Sequence, residues 1–149
     1  MTKPSKARAN RGRILVAKVG LDGHDRGARV LSQILMEEGF EVVYVGVRHT
    51  PLEVADAALR EQVDVVGLSL LSGAHVQLSA AVRKALDERG LGHVPIAVGG
   101  LIPRSDAEAL RTSGVAFASH PGDGAGAAKI SDELDTLVAQ SRSAETTSD

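Results

Sequence analysis

The sequence predicts an α/β protein in which five parallel strands, in the order 2-1-3-4-5, form one open sheet with helices on both faces. Two observations lead there. Strand-like runs and helical repeats alternate along the 149 residues with short connections between them, the pattern of successive strand–helix–strand crossovers. The strand-like runs are also apolar at consecutive positions, as strands covered on both faces must be.

Taken in order, Arg13 to Val19 carries the run Ile14-Leu15-Val16-Ala17 and belongs at the centre of the sheet. Ala28, Leu31, Ile34 and Leu35 then recur at helical spacing, and Gly39 follows Glu37 and Glu38 where a left-handed residue ends the helix. Glu41 to Gly46 is the second strand. Thr50-Pro51-Leu52-Glu53 joins a cap, a proline at the first helical position and a glutamate placed to close a capping box, so a helix runs on to about Arg60. Val63 to Ser69 is the third strand. Val76, Leu78, Ala81, Val82, Ala85 and Leu86 line a helix that stops at Gly90, and Val94 to Val98 is the fourth strand. Ser105 and Glu108 repeat the capping-box spacing for a helix ending at Gly114. Val115 to Ala118 is a short fifth strand, and Ala127, Ile130, Leu134, Leu137 and Val138 mark one face of the last helix. The topology is flavodoxin-like, a Rossmann-like arrangement whose ligands bind beyond the carboxyl ends of the strands, at the switch point between the first and third.

One domain, residues 13–139, holds this pattern. Residues 1–12, with Lys3, Lys6, Arg8 and Arg11, are expected to be a disordered basic arm, and residues 140–149 a flexible tail. Phe40, Phe117 and Tyr44 are the only aromatics, too few to stack exposed bases, and a net charge of −2 draws in neither polyanions nor membranes. Neither a nucleic acid nor a membrane is therefore an expected partner. The absence of cysteine removes disulfides, thiolate metal sites and cysteine nucleophiles, and suits a cytoplasmic location. No apolar run approaches the roughly 20 residues that span a bilayer, and the basic start lacks the apolar segment of a secretory signal.

The candidate chemistry lies in three loops that this topology brings to one edge. After the first strand, Gly20-Leu21-Asp22-Gly23-His24-Asp25-Arg26-Gly27 sets a histidine in a glycine-rich turn with an aspartate nearby. One ring nitrogen could bind a metal while the carboxylate holds the other; a plain surface turn that needs its glycines is the alternative. After the third strand, Gly67-Leu68-Ser69-Leu70-Leu71-Ser72-Gly73-Ala74-His75 places a hydroxyl at a strand end before small residues. After the fourth, Gly99-Gly100-Leu101-Ile102-Pro103 is either a tight turn or a surface free of side chains on which a bulky ligand can lie.

These residues resemble the cobalamin-binding domain of adenosylcobalamin-dependent acyl-CoA mutases. The family signature is Asp-x-His-x-x-Gly, then Ser-x-Leu, then Gly-Gly, matched by Asp22-Gly23-His24-Asp25-Arg26-Gly27, Ser69-Leu70-Leu71 and Gly99-Gly100. The likeness runs from about Arg13 to Ala139. The wording around the motifs looks most like the separate small subunits of two-component mutases, of the isobutyryl-CoA and 2-hydroxyisobutyryl-CoA type.

By that resemblance His24 would be the lower ligand of cobalt, in place of the cofactor's own dimethylbenzimidazole. It would be neutral, with its other nitrogen donating to Asp22, and Lys18 would contact Asp22 to complete a His-Asp-Lys relay. Otherwise Lys18 is a strand-end lysine in solvent. Ser69 would hydrogen-bond the dimethylbenzimidazole, Leu71 would pack beside it, and Gly99 and Gly100 would let the nucleotide tail pass. Gly23 and Gly27 would admit the corrin and tail closely, and Ser72, Gly73, Pro121 and Gly122 would complete the cofactor-binding set. Asp25 and Arg26, also in the cofactor-binding set, would be a helix-start charge and a rim residue rather than catalysts.

His75 is either a wall of the tail site or a surface residue at a helix start. His49 sits before the capped second helix, in a solvated loop or facing the corrin or a partner, and His93 falls on the opposite edge with no assigned function. Histidines scattered without a shared helical spacing do not make a zinc site. The chain departs from the family after the fifth strand, where Phe117-Ala118-Ser119-His120-Pro121-Gly122-Asp123 has Ser119 near the usual aromatic and Asp123 near the usual threonine. That leaves cobalamins with other lower bases open.

The resemblance implies a mutase subunit that carries adenosylcobalamin with its base off and histidine on. Homolysis of the cobalt–carbon bond, hydrogen abstraction and carbon-skeleton migration would serve a branched acyl-CoA such as 2-hydroxyisobutyryl-CoA or isobutyryl-CoA. The acyl-CoA-binding barrel would be a separate large subunit, in a heterotetramer of two large and two small chains, and no residue here would act as a general acid or base. The alternative is a corrinoid carrier for methyl transfer, whose usual N-terminal helical bundle has no room before a first strand near Arg13. A receiver domain would need an acceptor aspartate after the third strand, where this chain has Ser69-Leu70-Leu71.

Overall fold

The computed structural model describes residues 11–19, 26–70, 75–100, 102–118 and 127–147. Strands β1 (Arg13–Val19), β2 (Glu41–His49), β3 (Val65–Leu70), β4 (Ile96–Gly100) and β5 (Val115–Ala118) form one parallel sheet in the order β2-β1-β3-β4-β5. The helices are α1 (Arg26–Glu37), α2 (Pro51–Glu61), α3 (His75–Glu88), α4 (Ala107–Thr112) and α5 (Ala127–Thr147). The fold class and strand order are those expected. Among the described residues no helix is long and apolar enough to cross a membrane.

β1 is buried from Ile14 to Val19, which requires strands on both edges and helices on both faces. Alternation along the strands divides the core. Leu15, Ala17 and Val19 pack with Val54 and Ala58 of α2, Val82 and Leu86 of α3 and Leu110 of α4. Ile14 and Val16 pack on the other face with Leu35 of α1 and with Leu134 and Val138 of α5.

The capping box before α2 is present: Thr50 Oγ1 accepts from the Glu53 amide at 3.1 Å, and Glu53 Oε1 accepts from the Thr50 amide at 2.8 Å. α1 ends as expected, with Gly39 at φ 102°. Other boundaries move for identifiable reasons. β2 continues past Gly46 to His49. β3 starts at Val65 rather than Val63, because the Val63 amide donates to Ala58 O and closes the end of α2. β4 starts at Ile96 rather than Val94, because the Val94 amide donates to Leu91 O in a turn and Pro95 has no amide hydrogen. The box expected from Ser105 and Glu108 does not form. A short 3-10 turn, Arg104–Asp106, precedes α4, and Asp106 stands at its N-cap without a side-chain cap.

The termini are more engaged than expected. α5 runs past Gln140 to Thr147, with Ser141 buried and Arg142 Nε and Nη2 each donating to the Asp64 carboxylate at 3.1 Å. Arg11, assigned to the basic arm, is bonded to the domain, whereas residues 1–10 of that arm lie outside the described residues. Its Nη2 donates to Asp135 Oδ2 and to Ser131 Oγ, each at 2.6 Å, its Nη1 donates to Glu38 O at 2.5 Å, and its guanidinium lies 4.5 Å from the Phe40 ring centroid. One side chain thus ties α1, α5 and the entry to β1 together.

Arg11→Ala should cost about 1–2 kcal/mol in urea unfolding, the range for losing charge-assisted bonds that are partly screened by solvent; an unchanged midpoint would contradict this role. The Thr50 backbone amide, then the Thr50 hydroxyl and His49, hold the Glu53 carboxyl below the usual carboxylate range. A carboxyl depressed on folding stabilises the protein above its unfolded pKa and loses that contribution as pH falls through the folded value. Glu53→Gln should therefore lower the thermal midpoint at neutral pH and flatten its acid limb between about pH 5 and pH 3, and parallel limbs would refute the assignment.

Candidate functional site

The parallel register sets three of the expected residues level across the carboxyl edge. Lys18 of β1 pairs with Ser69 of β3, and Ser69 pairs with Gly99 of β4. Leu70 pairs with Gly100 one step further on. Alternation from Ile14 and Val16, from Val65, and from Ala97 puts Lys18, Ser69 and Gly99 on the face covered by α1 and α5.

Lys18 is not a strand-end lysine in solvent: its relative exposure is 0%, and it is among the largest fully buried side chains of the chain. A buried ammonium is costly unless its surroundings compensate it, which makes this position one of the chain's most constrained. Beside it the sheet has little relief. On the α1 and α5 face β3 presents Gly67 and Ser69 and β4 presents Ala97 and Gly99, whereas the opposite face carries Val66, Leu68, Ile96 and Val98. A Cβ added at Gly99 would meet nothing within 4 Å. Of the two readings of that glycine, open space at a strand end fits the second, a surface on which a bulky group can lie. Gly67 and Ala97 were not singled out from sequence, although small residues at alternate strand positions were the available signal.

Arg26 and Gly27 stand in the first turn of α1, and Gly100 ends β4. Asp22, Gly23, His24, Asp25, Leu71, Ser72, Gly73, Pro121 and Gly122 lie outside the described residues, as do Ser119 and Asp123. The row of Lys18, Ser69 and Gly99 lies at the ends of the strands from which the three motif loops leave.

His75 is neither a surface residue nor free to line a cofactor through Nε2. It is 6% exposed, and Nε2 lies 2.5 Å from Asp106 Oδ2. Asp106 was missed in the sequence because it falls inside the apparent capping box. His49 is engaged locally, with Nε2 against Val45 O and Nδ1 3.6 Å from Glu53 Oε1. Elsewhere, a cleft of about 180 Å³ between α4 and β5 is lined by Leu110, Arg111 and Phe117 among others. It sits at the far edge of the sheet, and among the described residues Arg111 is its only charged lining group.

Comparison with known proteins gives the family. The B12 binding domain model matches residues 12–128. The 2-hydroxyisobutanoyl-CoA mutase small subunit of Aquincola tertiaricarbonis is 48% identical over 69% of this chain and 76% of its own length. The ethylmalonyl-CoA mutase of Methylorubrum extorquens is 43% identical over 74% of this chain, which spans only 16% of that longer protein. A cobalamin-binding protein of Desulfitobacterium hafniense superposes with a TM-score of 0.73 over 86% of this chain and 60% of its own, at 22% identity, a likeness of fold. The chain belongs to the B12 binding domain family, alongside subunits of acyl-CoA mutases.

Proposed function

We propose that this chain is the cobalamin-carrying small subunit of a two-component acyl-CoA mutase and holds adenosylcobalamin with its base off and His24 on cobalt. The observation that carries this reading is the open, low-relief strip over Gly99, level with Ser69 and with the buried Lys18. A displaced nucleotide tail needs such a strip, and a hydroxyl at its floor supplies a hydrogen bond to a ring nitrogen. Lys18 would orient Asp22, and Asp22 would hold His24 in the tautomer that offers its lone pair. Gly27, at the start of α1, would admit the corrin, while Leu71, Ser72, Gly73, Pro121 and Gly122 would wall the tail and Asp25 and Arg26 its rim.

When bound, the cofactor supplies a cobalt–carbon bond that breaks homolytically. This chain's residues ligate, orient and shield one side of it, without moving a proton themselves. A large barrel subunit would bind a branched acyl-CoA such as 2-hydroxyisobutyryl-CoA or isobutyryl-CoA over the other side, in a cytoplasmic heterotetramer of two large and two small chains. The similarity to a chain named as a small subunit supports a separate partner.

Two titrations test this. Hydroxocobalamin added to the purified chain should give the visible spectrum of a histidine-ligated corrinoid, and His24→Ala should abolish that spectrum; persistence in the variant would remove His24 from cobalt. Gly99→Val places methyl groups in the open strip, so the thermal midpoint should stay within about 2 °C while cobalamin affinity falls at least about tenfold. Equal affinity would show that the tail does not cross Gly99. Co-isolation with a CoA-binding barrel, rather than with a methyltransferase, would decide between a mutase and a methyl carrier.

A further inference from the structure

His75 and Asp106 form a contact that the cofactor reading does not use. His75 opens α3, directly after the connection from β3, and Asp106 closes the 3-10 turn that leads from β4 into α4. β3 and β4 are neighbours in the sheet. A bond from Nε2 of His75 to Oδ2 of Asp106, 2.5 Å long, therefore joins the helices that follow adjacent strands. The imidazole is 7% exposed, so water competes little for the bond. Asp106 stands at the N-cap of α4 but makes no side-chain cap bond there. An aspartate at that position usually caps its own helix, and here its carboxylate serves a tertiary link instead. Between the strand and Asp106, the fully buried Ile102 fixes the chain.

α3 and α4 cover the sheet face opposite to that of Lys18, Ser69 and Gly99. The pair thus lies behind the strip, near the points where the chain leaves Leu70 and Gly100, which are level in the register.

We propose that His75 and Asp106 are a positioning pair that fixes the spacing of the β3 and β4 ends, and so the width of the strip over Ser69 and Gly99. The cofactor part of this inference rests on the reading given under Proposed function. Neither side chain touches the cofactor. Loss of the link lets the starts of α3 and α4 open while the central strands keep their pairing.

Hydrogen exchange on the ligand-free chain reads the link without any cofactor. Asp106→Ala, at a half-exposed carboxylate, and His75→Ala should both speed exchange of amides in 75–80 and 102–107 and leave β1 and β3 protected. His75→Gln, whose amide can reach Asp106 as a donor, should restore most of that protection. The two alanine variants should bind hydroxocobalamin at least about tenfold more weakly than the wild type, as for other groups that hold a ligand set in place, and the double alanine variant should bind no worse than either single one. Unchanged exchange in those segments, or wild-type affinity in both alanine variants, would overturn the positioning role. A wild-type chain that binds no cobalamin would instead overturn the functional reading, with exchange still deciding whether the link exists.

Discussion

Strands that run parallel deliver all their following loops to the same edge, and their register decides which residues stand level there. The site depends on this constraint. Lys18, Ser69 and Gly99 are far apart in sequence and become neighbours only through the pairing of β1 with β3 and of β3 with β4. A slip of one residue would turn each of them to the opposite face. Burial of Leu15, Val66, Leu68 and Val98 on one side and of Ile14, Val16 and Val65 on the other makes that slip expensive, because it would exchange matched core surfaces. The core thus fixes the site's geometry without contributing an atom to its chemistry.

The two ends of the sheet are built differently. At the amino end, charged side chains lace the elements together: Arg11 with Asp135, Arg13 with Glu41, and Arg142 with Asp64. Asp64 also accepts from the Arg13 amide at 2.9 Å, so the entries to β1 and β3 and the final turns of α5 share one carboxylate. At the carboxyl end β3 closes on Ser69 and Leu70 and β4 on Gly99 and Gly100, and the His75–Asp106 contact links the helices that follow. Charged ties at the amino end hold the scaffold from which the loops at the carboxyl end leave.

Much of this was legible in the sequence where local pattern and tertiary environment agree. The apolar run of β1 gave its central place, Thr50 and Glu53 gave a real cap, and the alternation of strands and helices gave the strand order that brings three motif loops to one edge. What was not legible depended on competition for a single group. Val63 and Val94 read as strand residues, yet their amides close turns. Ser105 and Glu108 have capping-box spacing, yet the helix starts later, after a 3-10 turn whose last carboxylate is engaged by His75. Past Gln140 the polar composition suggests a loose tail, but Arg142 finds Asp64 far away in sequence, and that bond holds the helix. Lys18 had two readings of equal form, since strand-end lysines reach solvent unless something covers them, and only the packed structure shows the cover.

The row also bears on where the reaction takes place. A buried lysine side chain, a partly exposed hydroxyl and a glycine make a surface that can orient and accommodate a ligand. A protein that performed proton transfer itself would need a titratable group facing its substrate. Of the other candidates, His75 is buried against Asp106 and His49 is turned to its own strand and helix. Among the described residues, what the row contributes is fit, a low-relief strip held level by the register of β1, β3 and β4. On the function proposed above, selectivity for a lower base would follow from the width of that strip.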